Sequence, residues 1–151
     1  MEVILYEPQI PQNTGNIIRT CSVTNTSLTL VKPLGFSLSE KNLRRAGLDY
    51  HHGVEIQTID DLEVYLKNCD QNFYFLSSHA KKTYSDIEYT ENDVLIFGSE
   101  SFGLDPKFLR MYEDRFITIP MTQKSRCLNL SNCVSIVLYE SLRQQNFMHL
   151  L

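Results

Sequence analysis

Apolar positions along the chain fall into short runs separated by windows of helical period. Val3-Ile4-Leu5-Tyr6 and Leu28-Thr29-Leu30-Val31 read as strands. Phe73-Tyr74-Phe75-Leu76 and Val94-Leu95-Ile96-Phe97 are continuous apolar runs, the type found in a sheet covered on both faces. Val54-Glu55-Ile56 and the run from Phe116 to Ile119 add two more strands. A Pro/Gln/Asn loop leads into a helical window over about 15–24, and a short basic window around 41–46 stops at Gly47. Thr58 is placed to cap a helix with Leu62, Tyr65 and Leu66 on one face. Asp105 followed by Pro106 reads as an N-cap and first helical residue, and a final helix spans about 130–145. This alternation predicts an α/β fold with a mostly parallel sheet flanked by helices. With no repeat, linker or low-complexity stretch, residues 1–151 are expected to form a single domain.

Composition narrows the class. Hydrophobic residues make up 42% of the 151 and charged residues 21%, a balance that buries a core without metals or disulfides. The net charge of −4 argues against indiscriminate DNA coating, but nucleic-acid binding follows local cationic patches more than the sum. Cys21, Cys69, Cys127 and Cys133 form no C-x-x-C pair and the histidines no H-x-x-x-H spacing, so no metal is expected and the cysteines read as free thiols. Met1-Glu2-Val3 carries no basic leader, and no apolar run approaches the ~20 residues of a membrane span. A cytoplasmic chain with no membrane partner is expected.

In parallel sheets ligands sit at the carboxyl ends of strands, which directs attention to three loops. The first, Pro11-Gln12-Asn13-Thr14-Gly15-Asn16, opens a helix and so favours a phosphate, with Arg19 about one turn in. A turn followed by a solvated arginine explains it equally well. The second, Gly98-Ser99-Glu100-Ser101-Phe102-Gly103-Leu104, has the pattern G-x-E-x-x-G, neither a dinucleotide fingerprint nor a P-loop, so NAD and ATP are poorly supported. Its carboxylate suits a cationic ligand or an amine donor, though a turn with a solvated Glu100 is also open. The third runs from Ile119-Pro120-Met121 through Gln123–Arg126 to Cys127-Leu128-Asn129-Leu130-Ser131-Asn132-Cys133. Helix capping explains one or two of its amides and hydroxyls, but three among apolar neighbours suit a neutral base and sugar edge.

Taken together, N-x-G-N-x-x-R from Asn13 to Arg19, G-x-E-x-x-G-L from Gly98 to Leu104, and the Ile119-Pro120-Met121 … Asn129-Leu130-Ser131-Asn132 run resemble the three motifs of the SPOUT methyltransferases, in order and spacing. Glu7-Pro8 and Leu43-Arg44-Arg45-Ala46-Gly47-Leu48-Asp49-Tyr50 make the chain most similar to the minimal SpoU-type branch. That branch methylates the 2'-hydroxyl of a wobble pyrimidine (position 34) in leucine tRNAs.

The resemblance implies a deep trefoil knot in the C-terminal third that binds S-adenosylmethionine. It implies cofactor contacts from Leu76, Gly98, Glu100, Ile119, Met121, Leu128 and Cys133, and catalytic or positioning roles for Asn13, Arg19, Glu100 and Asn129. It further implies the anticodon stem-loop of tRNA as partner and a homodimer. By their own chemistry Lys41, Arg44, Arg45, Lys81, Lys82, Lys124 and Arg126 are candidate phosphate contacts, with a solvated surface the alternative for each. Ser131 and Asn132 are candidate contacts to a base and sugar edge. One departure is Cys127, where many relatives carry serine; a thiol is a weaker hydrogen-bond partner. The final helix carries Leu130, Val134, Val137, Leu138 and Leu142, with Ile136 and Tyr139 beside them. Core burial is the commoner reason for such a stripe; the resemblance favours a dimer seam. Alternative readings are the same chemistry on another tRNA or rRNA site, or a non-catalytic RNA-binding module.

Overall fold

A computed structural model of the chain describes residues 1–37, 54–122, 127–148 and 150. Among the described residues seven strands form one sheet: β1 (Glu2–Tyr6), β2 (Ser27–Val31), β3 (Ile56–Ile59), β4 (Phe73–Leu76), β5 (Lys82–Thr83), β6 (Val94–Phe97) and β7 (Phe116–Thr118). Their spatial order is β3-β2-β1-β6-β4-β7-β5, and every ladder between them is parallel. Among the described residues the helices that accompany them are α1 (Pro11–Val23), α2 (Leu62–Lys67), α3 (Pro106–Tyr112) and α4 (Leu130–Gln144).

The apolar runs are continuous because alternate residues serve two cores. Val3, Leu5, Leu28, Leu30, Leu95, Phe97 and Ile117 point to one face, where Ile17, Ile18 and Cys21 of α1 meet Val134, Val137 and Leu138 of α4. Ile4, Val31, Phe73, Phe75, Val94, Ile96 and Phe116 point to the other, under Leu62 and Leu66 of α2 and Phe108 of α3. There Phe75 stacks on Phe116 at 4.7 Å and on Phe108 at 5.5 Å, offset arrangements that add to plain area burial.

Most predicted elements stand, with three shifts. Strand β3 lies at Ile56–Ile59 rather than 54–56, so Thr58 pairs with Leu30 in the sheet and does not cap a helix. The cap of α2 is Asp61, whose carboxylate accepts from Glu63 N and Val64 N. Helix α1 begins at Pro11, a turn earlier than expected, with Pro at its first position. The two-residue edge strand β5 has no sequence signal of its own. The expected basic helix around 41–46 lies outside the described residues.

The stripe on α4 is accounted for by this chain's own core: Val134, Val137, Leu138 and Leu142 are buried against it, and Leu130 packs at its margin. Ile136 is half-buried and Tyr139 exposed. Among the described residues no helix is long and apolar enough to cross a membrane.

Candidate active site

Strand order decides where a site can form. From β1 the chain crosses to β2 on one side, while β6 and β4 lie on the other. The loops leaving β1 and β6 therefore stand side by side at the carboxyl ends of adjacent strands, at the switch point where parallel sheets bind ligands.

The loop after β1 turns sharply. Glu7 takes a left-handed φ of 48°, unusual for a residue with a side chain. Helix α1 then starts with Ile10 at its N-cap position, which offers no side-chain acceptor. The missing acceptor comes from a chain-distant loop. The Glu100 carboxylate, just past β6, accepts from Gln9 N at 2.8 Å, Ile10 N at 3.2 Å and Asn13 Nδ2 at 2.9 Å. A negative group at a helix N-terminus is also favoured by the helix dipole.

Glu100 is held in a tight turn. Ser99 and Gly103 exchange backbone hydrogen bonds of 3.0 and 2.9 Å. Gly103 has φ +69°, and a Cβ on Gly98 would come within 2.4 Å of the Gly103 carbonyl carbon, so glycine is required at both ends.

The third loop joins through the start of α4. Asn129 caps that helix by accepting from Ser131 N at 2.9 Å and from the Ser131 hydroxyl at 2.6 Å. Its Nδ2 donates to Asn13 Oδ1 at 2.9 Å. Ser131, Asn129, Asn13 and Glu100 thus form one chain of hydrogen bonds, each side chain donating to the next and ending on the carboxylate. Helices α1 and α4 pack together, and their N-termini meet at this chain, with Gln9 N and Ile10 N bonded to Glu100 and Ser131 N bonded to Asn129. Amides and a hydroxyl arranged beside a carboxylate suit a neutral, hydrogen-bonding sugar edge.

Beside this polar chain lies an apolar wall. Leu76 ends β4, Ile119 follows β7, and Leu130 and Cys133 line the start of α4; all four are partly buried on the α1–α4 side of the sheet. Met121 is half-buried and Leu128 exposed, at the two ends of the connection into α4. Burial pushes the Cys133 thiol up to about 11, so it stays protonated and apolar in character. Cys127 is exposed and lies 3.7 Å from the Ser78 hydroxyl. An accessible apolar wall at strand ends, adjoining Gly98 and a carboxylate, fits a nucleoside-bearing cofactor such as S-adenosylmethionine.

Not every expected residue comes to this place. Because α1 begins at Pro11, Arg19 lies two turns along it, about 12 Å down the axis, in an exposed position. It does not stand one turn from the helix mouth, as a start at Gly15 would have put it. Asn132 is exposed beside the capped turn. Lys41, Arg44, Arg45 and Arg126 lie outside the described residues. Sequence reading missed the backbone N–H groups of Gln9 and Ile10 as partners of Glu100, and no local signal marks them.

The family model for the SpoU rRNA methylase family matches residues 1–139. The chain belongs to this family. A relative in Lactobacillus gasseri, named as a candidate RNA (cytidine(34)-2'-O)-methyltransferase, is 48% identical over 96% of this chain and 81% of its own length. The tRNA (cytidine(34)-2'-O)-methyltransferase of Escherichia coli K12 is 40% identical over 97% of this chain and 95% of its own. A solved structure described as giving insights into the 2-OH methylation of C/U34 on tRNA superposes with a TM-score of 0.89. It is 35% identical and covers 97% of this chain and 96% of the other. SpoU-type proteins are methyltransferases whose methyl donor is S-adenosylmethionine.

Proposed function

We propose that the protein is a homodimeric tRNA 2'-O-methyltransferase that modifies the ribose of the wobble pyrimidine, nucleotide 34, in leucine tRNAs of the cytoplasm. The observation that carries the proposal is the hydrogen-bonded chain from Ser131 to Glu100. It joins one residue or more from each of the three motifs at the switch point. The names of the relatives support position 34 as the target.

S-adenosylmethionine, when bound, supplies an electrophilic methyl group on a cationic sulfonium. In this reading Leu76, Gly98, Ile119, Met121, Leu128 and Cys133 hold it, within a trefoil knot formed by the C-terminal third. An alcohol is a weak nucleophile until its proton is leaving, so the site must favour alkoxide character on the 2'-oxygen while that proton passes to solvent water. Asn13 and Asn129 place the ribose edge, and Glu100 holds both loops in register. Arg19 stabilises the developing oxyanion and grips the adjacent phosphate, because a guanidinium is protonated at any working pH and cannot serve as a base. Its distance along α1 favours a site shared between two copies of the chain. Ser131 and Asn132, with Lys41, Arg44, Arg45 and Arg126, contact the anticodon stem-loop, whose unstacked bases are open to recognition.

Arg19→Lys keeps the charge but loses the fork, and turnover is expected to fall at least ~10²-fold; near wild-type turnover defeats that role. Mass analysis of leucine tRNAs from a deletion strain is expected to lack one ribose methyl at nucleotide 34. A methyl lost elsewhere in tRNA or rRNA redirects the substrate. Absence of S-adenosylhomocysteine binding by calorimetry at millimolar ligand returns the protein to an RNA-binding module. A monomer by sedimentation removes the shared site.

A further inference from the structure

Phe102 is 86% exposed, the most exposed of the large apolar side chains among the described residues; of the others, only Tyr139, at 44%, is aromatic. It is not on a loose loop. It sits at the tip of the turn clamped by the Ser99–Gly103 backbone pair, and its own N–H donates to the Ser99 hydroxyl at 3.2 Å. The backbone of Gly98 packs directly against that of Gly103, where a Cβ would come within 2.4 Å. Two residues earlier in the same turn stands Glu100, the anchor of the polar chain.

Two further apolar side chains are left accessible next to that chain. Ile10 is 41% exposed, and its N–H is bonded to Glu100; Leu128 is 38% exposed and precedes Asn129. Exposed apolar side chains thus stand on or beside each of the three loops that the polar chain joins, and the Phe102 ring is the most exposed of them. The fold leaves this ring outside its core.

We infer that Phe102 is a stacking platform for an unpaired nucleobase at or next to the nucleotide being methylated. The inference rests on the function proposed above and adds a positioning residue to it. A ribose seated against Asn13 and Asn129 carries its own base and its neighbours within one nucleotide of the turn. An aromatic face accepts any base without hydrogen-bond readout, and a rigid mount loses little entropy on stacking. A second protein chain would instead need a contiguous apolar surface rather than one projecting ring flanked by amides.

Two variants test it in the full chain, which contains no tryptophan. Phe102→Leu keeps apolar bulk without a π-face, and Phe102→Trp restores the face and provides a single fluorophore. The leucine variant is expected to lower kcat/KM for tRNA about tenfold or more, chiefly through KM. The tryptophan variant is expected to stay within about threefold of wild type. S-adenosylhomocysteine affinity and melting temperature are expected to hold in both. Fluorescence of the tryptophan variant is expected to be quenched on titration with an anticodon stem-loop RNA. Unchanged kcat/KM in Phe102→Leu, or fluorescence unmoved by saturating RNA, overturns the inference. So does a fluorescence change that follows protein concentration without RNA, which assigns the ring to a contact between copies. Failure of the wild-type protein to methylate tRNA counts against the proposed function alone, since quenching by RNA still reports on stacking.

Discussion

Glu2 and Glu100 are both carboxylates tied to several donors, yet they stand at opposite ends of the sheet. Glu2 opens β1 and accepts from the Thr29 hydroxyl on β2 and the Tyr65 hydroxyl on α2. Both partners belong to the α2–α3 side of the same sheet, and Thr29 is fully buried. Glu100 follows β6 and accepts from residues 90 and 91 positions away in the chain. The first carboxylate ties a strand to its neighbours at the amino end, where crossover connections return. The second holds open loops at the carboxyl end, where the chain diverges and a ligand can enter. A well-satisfied carboxylate is therefore no mark of a site; its place relative to the switch point is.

That contrast can be broken experimentally, starting with the largest effect. Glu100→Ala frees three N–H donors and lets the motif loops drift, and misplacement by about 1 Å can cost ~10²-fold in rate. Methyl transfer to tRNA is expected to fall by at least that factor, read as kcat/KM. Glu2→Ala is expected to leave kcat/KM per folded molecule within about twofold; an equal loss from both variants erases the distinction.

Asn129→Asp separates capping from relay. An aspartate still caps α4 through Ser131 N, but it presents an acceptor to Asn13 Oδ1 in place of a donor. Activity is expected to drop about tenfold, the scale of a single lost hydrogen bond to a positioned group, with the thermal midpoint held. Asn129→Ala also loses the cap, worth ~1 kcal/mol, and is expected to lower the midpoint by about 2–4 °C.

At the amino end the expected effect is on stability alone. Glu2→Ala leaves the buried Thr29 hydroxyl without its acceptor, a loss of about 1–3 kcal/mol measurable as a lower urea midpoint.

The smallest effect lies on α4, remote from both carboxylates. Hydrogen bonds from Arg143, and then from Gln144, hold the Glu140 carboxyl down to about 2. A folded-state value below the ordinary ~4.3 means a contribution present above that pH and lost as pH falls towards about 2. The difference in urea midpoint between wild type and Glu140→Gln is therefore expected at pH 6 and to vanish near pH 2. A difference that grows on acidification contradicts the pairing.

Legibility in the sequence tracked the range of the interaction. Asp105-Pro106 announced α3 because cap and first residue are adjacent, and the carboxylate does accept from Lys107 N at 2.8 Å. The cap of α2 was misplaced because Thr58 and Asp61 both carry a capping side chain, and only pairing with β2 draws Thr58 into the sheet. The start of α1 was misplaced for the opposite reason: Ile10 carries no capping group, and the acceptor arrives from Glu100. That error displaced Arg19 by a full turn in the sequence reading.

Continuous apolar runs by themselves determined that this chain builds a sheet with a core on each side, and the adjacent cap and proline at Asp105-Pro106 determined the start of α3. Those are properties of neighbouring residues, set by pleat, helical period and nearby donors. The motif residues were also legible singly, through their order and spacing. What tertiary structure alone decided is that Asn13, Glu100 and Asn129 touch, across separations of 87 and 116 residues. Contacts of that range depend on strand order, which is chosen by the packing of the whole sheet and which no local pattern encodes.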